Sequence, residues 1–354
     1  MLTFALVGCG RISARHAQLL GEGIIKGAKL IAVCDKVREK AVTTGEKYNV
    51  PSFDDMHEMM RVTNPEVAVV LTESGNHARD VIALAPYGKH LVVEKPMALT
   101  LGDADAMIRA CDAAGIKLFV VKQNRFNVPV VKLREALVAG RFGKLVMGTV
   151  RVRWCRNQSY YDQDFWRGTW ALDGGVLTNQ ASHHVDLLEW MMGDVESVFA
   201  LTRTALVNIE AEDTAVAAMR FSNGALGIIE ATTAARPKDL EGSISVLGEK
   251  GSVEIGGFAV NEMKVWNFSD PTPSDTEVIE KYSVNPPNVY GFGHQAYYEH
   301  IVDAIGSGKP HLVDGLQGRK SLELISAIYE SVETGREVRL RFKPRLARLG
   351  KVSS

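Results

Sequence analysis

Apolar positions in the first third of the chain come as short continuous runs separated by amphipathic stretches. Residues 3–7, 30–34, 67–71, 91–93 and 118–121 are almost unbroken in Val, Leu, Ile, Ala and Phe. That is the pattern of strands covered on both faces. Between them, residues 14–20, 55–61, 78–87 and 103–114 read as helices, the last opened by Thr100 with Asp103 and closed by Gly115. Strands alternating with helices in this way predict a doubly wound parallel sheet. After Arg125 the pattern changes. A helix is expected over residues 130–139, and residues 144–156 then alternate, with Val146, Gly148, Val150, Val152 and Trp154 on one face and Thr149, Arg151 and Arg153 on the other. Further strands are expected at 198–206, 213–221, 225–233, 244–247, 252–255 and 263–268, with Ser222-Asn223-Gly224 as a hairpin turn. Residues 269–293 are rich in Pro and Asn, lack periodicity and predict a long functional or lid loop. Helices over 294–305 and 315–334 close the chain. The expected organisation is therefore a parallel α/β domain over 1–122 and, over 123–354, an α+β domain with a large open, mostly antiparallel sheet.

One stretch mixes periods and chemistry. From Val176 to Trp190, Val176, Asn179, His183, Asp186 and Trp190 fall along one stripe at helical spacing, so an amide, an imidazole and a carboxylate are expected on one face of a helix. Gly174 and Gly175 precede it and Gly193 stops it. His184 is rotated about 100° from that stripe and reads as a packing residue. Asp186 reads as a group that orients its neighbours.

Composition narrows the classes. With 354 residues, 46% hydrophobic and 23% charged, the chain can build two globular cores. A formal net charge of -1 and a sequence pI near 6.8 exclude a nucleic-acid footprint. The first residues lack a charged head and meet Gly8 too early for a signal peptide or membrane span, so a cytoplasmic protein is expected. Cys9, Cys34, Cys111 and Cys155 stand singly without metal-ligand spacing and read as reduced, mostly core thiols; no metal is expected.

The first strand runs into Gly8-Cys9-Gly10-Arg11-Ile12-Ser13, a helix follows, and the second strand ends in Asp35. This is the order of a Rossmann-type dinucleotide-binding unit: Gly8 makes the tight turn, Gly10 lets backbone approach the pyrophosphate, and the helix start faces it, with Ser13 in place of a third glycine. Asp35 would bind the ribose hydroxyls and repel a 2'-phosphate, which favours NAD over NADP, although Lys36 and Arg38 lie close enough to soften that preference. Ligand groups in such a sheet belong at the carboxyl ends of strands. Thr72, Ser74, His77, Glu94, Lys95 and Gln123 occupy those ends and are cofactor-side candidates. Lys95 would point toward the nicotinamide; the alternative is a surface pair with Glu94. Residues 157–170 interleave aromatic, amide and arginine side chains, which suits stacking on a sugar or uracil ring. Gln158, Tyr160 and Tyr161 are the candidates there, and Arg153, Arg156 and Arg167 are candidate partners for a carboxylate or diphosphate. Oxidising a secondary alcohol needs a base within reach of the hydroxyl and a cation beside the developing alkoxide. His183 fits the first role and Lys95 the second.

Gly8-Cys9-Gly10-Arg11-Ile12, Glu94-Lys95-Pro96, Trp166-Arg167, Gly174-Gly175 and Asn179 to Asp186 together resemble the Gfo/Idh/MocA oxidoreductases over nearly the whole chain. The resemblance implies bound NAD(P), a catalytic Lys in an EKP motif and a D-x-x-x-H pair, which carry over to Lys95, Asn179 and His183. Asn179 departs from the usual aspartate and cannot take a proton, leaving His183 as base. It also implies a cofactor-side role for Trp166 and Arg167 and a homo-oligomer, dimer or tetramer. The strings 122–127, 179–184 and 285–290, the last ending in Tyr290, resemble the nucleotide-sugar branch. That branch implies oxidation of the 3-hydroxyl of a UDP-linked N-acetylated sugar acid in surface-polysaccharide, O-antigen-type lipopolysaccharide biosynthesis. A free sugar or polyol dehydrogenase of the inositol type is the alternative, and a catalytically silent NAD-binding regulator a third reading. Retention of Lys95 and His183 argues against silence.

Overall fold

A computed structural model of the chain describes residues 1–284, 291–308, 311–340 and 349. Contacts divide the chain into two compact units, Met1–Lys122 with His294–Lys320, and Gln123–Gly293 with Ser321–Ser354. The segment His294–Lys320, expected in the second domain, packs with the first unit: it brings Tyr298 against Phe4 and Val313 against Val120.

In the first unit the order is β1 (Leu2–Val7), α1 (Ser13–Gly21), β2 (Ala28–Cys34), α2 (Arg38–Tyr48), β3 (Ser52–Phe53), α3 (Met56–Thr63), β4 (Val67–Val70), α4 (His77–Leu84), β5 (His90–Val93), α5 (Leu101–Ala113) and β6 (Leu118–Val120). The six strands form one parallel sheet in the order β3-β2-β1-β4-β5-β6. All four residues of β4 and all three of β6 are buried, as strands with helices on both faces must be. Each such Val or Leu contributes roughly 1.5–3 kcal/mol by leaving water. The Asp55 and Thr100 side chains accept from the backbone N–H of Glu58 and Asp103 and so start α3 and α5. The apolar pattern gave no sign of α2, because only Ala41 and Gly45 of that helix are buried.

The second unit runs α6 (Val128–Val138), β7 (Leu145–Arg153), α7 (Gln158–Tyr161), α8 (Ser182–Met192), β8 (Val195–Arg203), β9 (Thr214–Phe221), β10 (Leu226–Thr232), β11 (Glu241–Gly248), β12 (Gly251–Gly256), β13 (Glu262–Phe268) and α9 (Val278–Lys281). Of the closing elements, α10 (Gly293–Ser307) packs with the first unit, α11 (Gly315–Thr334) begins in the first and continues in the second after Lys320, and β14 (Val338–Arg339) belongs to the second. The eight strands are ordered β13-β12-β11-β7-β10-β9-β8-β14, antiparallel except for the β7–β10 pair. The Ser222-Asn223-Gly224 turn joins β9 to β10, with Phe221 and Ala225 paired across it.

Strand period decides which side of this sheet meets α8. A Cβ at Gly148 would come within 2.6 Å of Met192 and 2.8 Å of Leu188. Even-numbered positions of β7 therefore face the helix, and close approach at that point requires glycine. The loop expected over 269–293 is not wholly irregular. A capping box at Thr272 and Asp275 opens a short helical turn before α9, and Arg141 holds Asp275 through two hydrogen bonds of 2.8 and 2.7 Å. All four cysteines are free, Cys34 and Cys111 buried, Cys9 and Cys155 partly exposed. Among the described residues no helix is long and apolar enough to cross a membrane.

Candidate active site

The nucleotide half is built at the carboxyl ends of β1, β2, β4 and β5. Gly8 has φ +104°, and a Cβ there would lie 2.7 Å from the carbonyl of Leu71 at the end of β4. No other residue fits. A Cβ at Gly10 would meet no protein atom, so neither packing nor strain demands glycine there, and close approach of a phosphate group does. Ser13 donates its Oγ hydrogen to Gly10 O at 2.6 Å and closes the loop over the start of α1, with Arg11 and Ile12 leading into the helix. Asp35 accepts from Cys9 N at 2.7 Å and Val37 N at 2.8 Å, which ties the acid at the end of β2 to the glycine turn. Arg38 pairs with Asp54 at 2.9 Å, so its charge is already opposed. These residues fit the diphosphate and ribose of a dinucleotide.

Lys95 follows β5, and its backbone N–H donates to Glu94 Oε2 at 2.9 Å. Glu94 is not a surface partner for the lysine. It is buried, and its Oε1 lies 3.0 Å from His16 Nε2, while His16 Nδ1 lies 2.6 Å from the Tyr298 hydroxyl. Burial alone would push the Glu94 carboxyl up, but the hydrogen bond and charge of His16, with His294 and Lys95, bring it down to about 2. His16, Glu94 and His294 bring ligand-type atoms within 4.8 Å of one another, a grouping that cysteine and histidine spacing along the sequence does not register. Of the other predicted cofactor residues, Thr72 donates to Asp80 at 2.8 Å, and Ser74 is buried in the turn before α4. His77 is fully buried with its ring nitrogens 2.8 Å from Pro96 O and 2.9 Å from Thr72 O. It ties two strand ends together rather than offering a surface for a nucleotide.

The second unit carries the proton-transfer candidates. The expected helix over 176–192 begins only at Ser182; Asn179 sits in the turn ahead of it. The cause is a buried carboxylate 35 residues away. Glu212 Oε1 accepts the Leu177 N–H at 3.0 Å and the Tyr329 hydroxyl at 2.9 Å, while its backbone carbonyl takes the Val176 N–H. A Cβ at Gly175 would collide with the Glu212 carboxylate, which is why the Gly174-Gly175 pair is needed. Ala181 N then bonds back to Val176 O, and α8 starts afresh. Burial pushes the Glu212 carboxyl up to about 7, only partly offset by its hydrogen bonds.

Along α8, His183 Nε2 lies 2.8 Å from the Gln123 amide nitrogen, and Asp186 takes two hydrogen bonds from Arg125, at 2.7 and 2.8 Å. Gln123, expected on the cofactor side, instead contacts the candidate base. Nitrogen and oxygen of a side-chain amide exchange by a half-turn, and the turned Gln123 amide accepts from Nε2–H, the tautomer in which Nδ1 can take a proton. Asp186 orients a neighbouring turn, not its own helix. His184 is buried beside Trp154 with neither ring nitrogen hydrogen-bonded, and burial drives its pKa down to about 3, as befits a packing residue.

The candidate anion-binding arginines are already paired. Arg153 holds Glu230 at 2.6 and 2.8 Å and Glu241 at 3.2 Å. Its odd-numbered position puts it on the face of β7 away from α8, so it is not a site residue. Arg156 pairs with Asp239 at 2.9 Å, and Arg167 with Asp164 at 2.8 Å and the Tyr160 hydroxyl at 2.9 Å, stacked over the Trp166 ring. Tyr161 is buried with its hydroxyl on Thr233, and Gln158 is bound to Asp162 and the Asn208 backbone. A cleft of about 250 Å³ does open in this loop, lined in part by Gln158, Asp164, Arg167, Asn208 and Glu210. With Asp162 also on its wall it is too acidic to hold a diphosphate. Tyr290 lies outside the described residues.

Comparison with known proteins agrees with this architecture. Residues 2–122 match the family model for the oxidoreductase family NAD-binding Rossmann fold, and residues 134–340 match that for its C-terminal alpha/beta domain. The chain is 44% identical to the WlbA dehydrogenase from Bordetella pertussis, solved in complex with NADH and UDP-GlcNAcA, with a TM-score of 0.91 over 96% of this chain and 97% of that one. A WlbA enzyme from Chromobacterium violaceum with the same ligands is 43% identical, with a TM-score of 0.89 over 96% of this chain and 95% of that one. A myo-inositol 2-dehydrogenase from Thermotoga maritima is 30% identical over 96% of this chain and 98% of its own length. With both domain models matched in order around a glycine turn, an EKP strand end and a His-bearing helix, the chain belongs to the Gfo/Idh/MocA family of oxidoreductases.

Proposed function

We propose that this oxidoreductase removes hydride from the 3-carbon of a UDP-linked N-acetylated sugar acid, UDP-GlcNAcA, giving the 3-keto sugar for surface-polysaccharide assembly of the O-antigen type. The observation that carries this reading is the 44% identity, sustained over 96% of the chain, to a dehydrogenase solved with NADH and that sugar. NAD, when bound, supplies the hydride acceptor. The glycine turn and Asp35 would hold it, and Asp35 would disfavour a 2'-phosphate. His183 takes the hydroxyl proton, and Lys95 stabilises the alkoxide as hydride leaves. Asn179 contacts the sugar without exchanging a proton. Glu94 and His16 hold the Lys95 backbone, and Gln123 holds the His183 ring. The enzyme is expected to act in the cytoplasm as a homo-oligomer.

The inositol dehydrogenase relative at 30% identity favours a second reading, oxidation of a free polyol. The two separate in one experiment. Purified protein is incubated with NAD and, in parallel, UDP-GlcNAcA, UDP-GlcNAc, myo-inositol and glucose, and NADH is followed by absorbance with the product carbonyl located by NMR. NADH formation confined to UDP-GlcNAcA, with the carbonyl at C3, supports the reading. Turnover of myo-inositol in preference to UDP-GlcNAcA refutes it.

A further inference from the structure

Asp173 is one of the most enclosed acids in the second unit, at 1% exposure, and the helical stripe does not include it. Its oxygens are used separately. Oδ2 accepts the Gly168 N–H at 2.8 Å, and Oδ1 accepts from Asn179 Nδ2 at 2.7 Å. The backbone N–H groups of Asp173 and Gly174 both bond to Thr169 O, at 3.1 and 2.8 Å, so the carboxylate cannot swing aside without undoing that turn. Asn179 itself is only half-buried. An amide donates from one side and accepts on the other, and an ionised carboxylate only accepts. With Nδ2 against Asp173, the amide has one workable orientation; the reverse would set its carbonyl oxygen against a carboxylate oxygen. Oδ1 therefore faces away from Asp173.

We propose that Asp173 is a positioning residue that locks the Asn179 amide with its carbonyl oxygen toward the substrate, so that position 179 reads a sugar hydroxyl as a donor. The inference rests on the proposed reading in which Asn179 touches the sugar. A substrate analogue lacking that hydroxyl would lose this hydrogen bond and be selected against. A carboxylate at 179 is not an equivalent side chain in this chain, because it would stand against the Asp173 carboxylate, and one of the two would have to keep a proton. Among the described residues, Glu212 and Tyr161 also act electrostatically with Asp173.

The test is a charge swap. N179D, D173N and the double variant D173N/N179D are compared with wild type for kcat and KM between pH 6 and 8, and for thermal unfolding without ligand over the same range. In the double variant the amide at 173 keeps the Gly168 donor with its carbonyl and donates to the carboxylate at 179, so the contact is remade with reversed polarity. N179D is expected to lose about tenfold or more in kcat/KM from pH 6 to pH 8, with an unfolding midpoint that falls as pH rises, and the swap to recover most of both. Wild-type pH profiles in N179D, or a swap no better than N179D, would overturn the proposal. If wild type turns over no UDP-sugar, the substrate reading fails on that result, while the ligand-free unfolding profiles still judge the Asp173 and Asn179 pair.

Discussion

The pairing of Arg125 with Asp186 gives the sharpest test of how the second unit holds the proposed base. Both side chains are 3% exposed, and the guanidinium gives Asp186 two bonds, of 2.7 and 2.8 Å, while lying 4.9 Å from the centre of the Trp190 ring. Such a pair is worth little against an apolar replacement, since the cost of removing two charges from water offsets their attraction. Breaking it is another matter. D186A strips a buried guanidinium of its carboxylate, which typically costs about 3–5 kcal/mol out of a total of about 5–15. At roughly 2–4 °C per kcal/mol for a unit of this size, the unfolding midpoint should drop by about 6–20 °C. R125M/D186L, which removes both charges and keeps the volume, should return most of that loss. Activity should separate the variants further, because Arg125 shares its short turn with Gln123, whose amide contacts His183. D186A is expected to lower kcat with the KM for NAD nearly unchanged. Calorimetry with steady-state kinetics is the assay. A loss below about 1 kcal/mol in D186A, or a double variant no more stable than the single one, would refute the reasoning.

H183N should lower kcat by about two to four orders of magnitude with NAD affinity nearly intact, and K95M should do comparable harm; near-normal turnover of H183N across neutral pH would remove His183 as the base. D35S should relax discrimination against NADP, read as the ratio of the two Kd values; equal wild-type affinity for NAD and NADP would contradict the role of Asp35. Glu212 titrates at about 7 in the folded chain against an ordinary 4.5, so the folded state holds its proton more tightly and stability falls as pH rises between those values, by about 3 kcal/mol in all. E212Q removes this dependence, and its advantage over wild type in unfolding scans should grow from about pH 5 to pH 7 and level off above; parallel pH profiles would count against it. The face of the second sheet opposite α8 exposes Phe199, Leu201, Val216, Leu226 and Ile228 side by side, so L201K/I228K should shift sedimentation toward monomer, and a wild type that is monomeric at micromolar concentration would exclude oligomerisation through that face.

What the sequence displays and what it hides follow from the range of the interactions. Strands β1, β4, β5 and β6 were legible because both their faces are covered and the apolar runs are continuous. The glycine turn and Asp35 were legible because the geometry they satisfy spans only about 30 residues. The arginines were misjudged because their partners lie far along the chain: Glu230 is 77 residues from Arg153, and Asp239 is 83 from Arg156. For Arg153 the alternation of β7 already placed it with Arg151 on one face and Val150 and Val152 on the other, and that signal was enough to keep it out of the site. Gln123 and His183 are 60 residues apart, and nothing in either segment announces the contact.

The late start of α8 has a chemical consequence that a helix from residue 176 would lack. In the longer helix His183 would lie two turns in, where the partial charge of the helix end is no longer felt. Beginning at Ser182, the helix places His183 in its first turn, beside backbone N–H groups that carry roughly half a positive elementary charge. On the proposed role of His183 as base, negative charge develops on the oxygen it deprotonates, and a helix N-terminus beside that oxygen would favour it by about 0.3–1 kcal/mol. Glu212 fixes where the helix begins, and Asp173 fixes which way the amide faces. Two buried acids outside the helical stripe thus shape the surroundings of the groups proposed to contact the substrate.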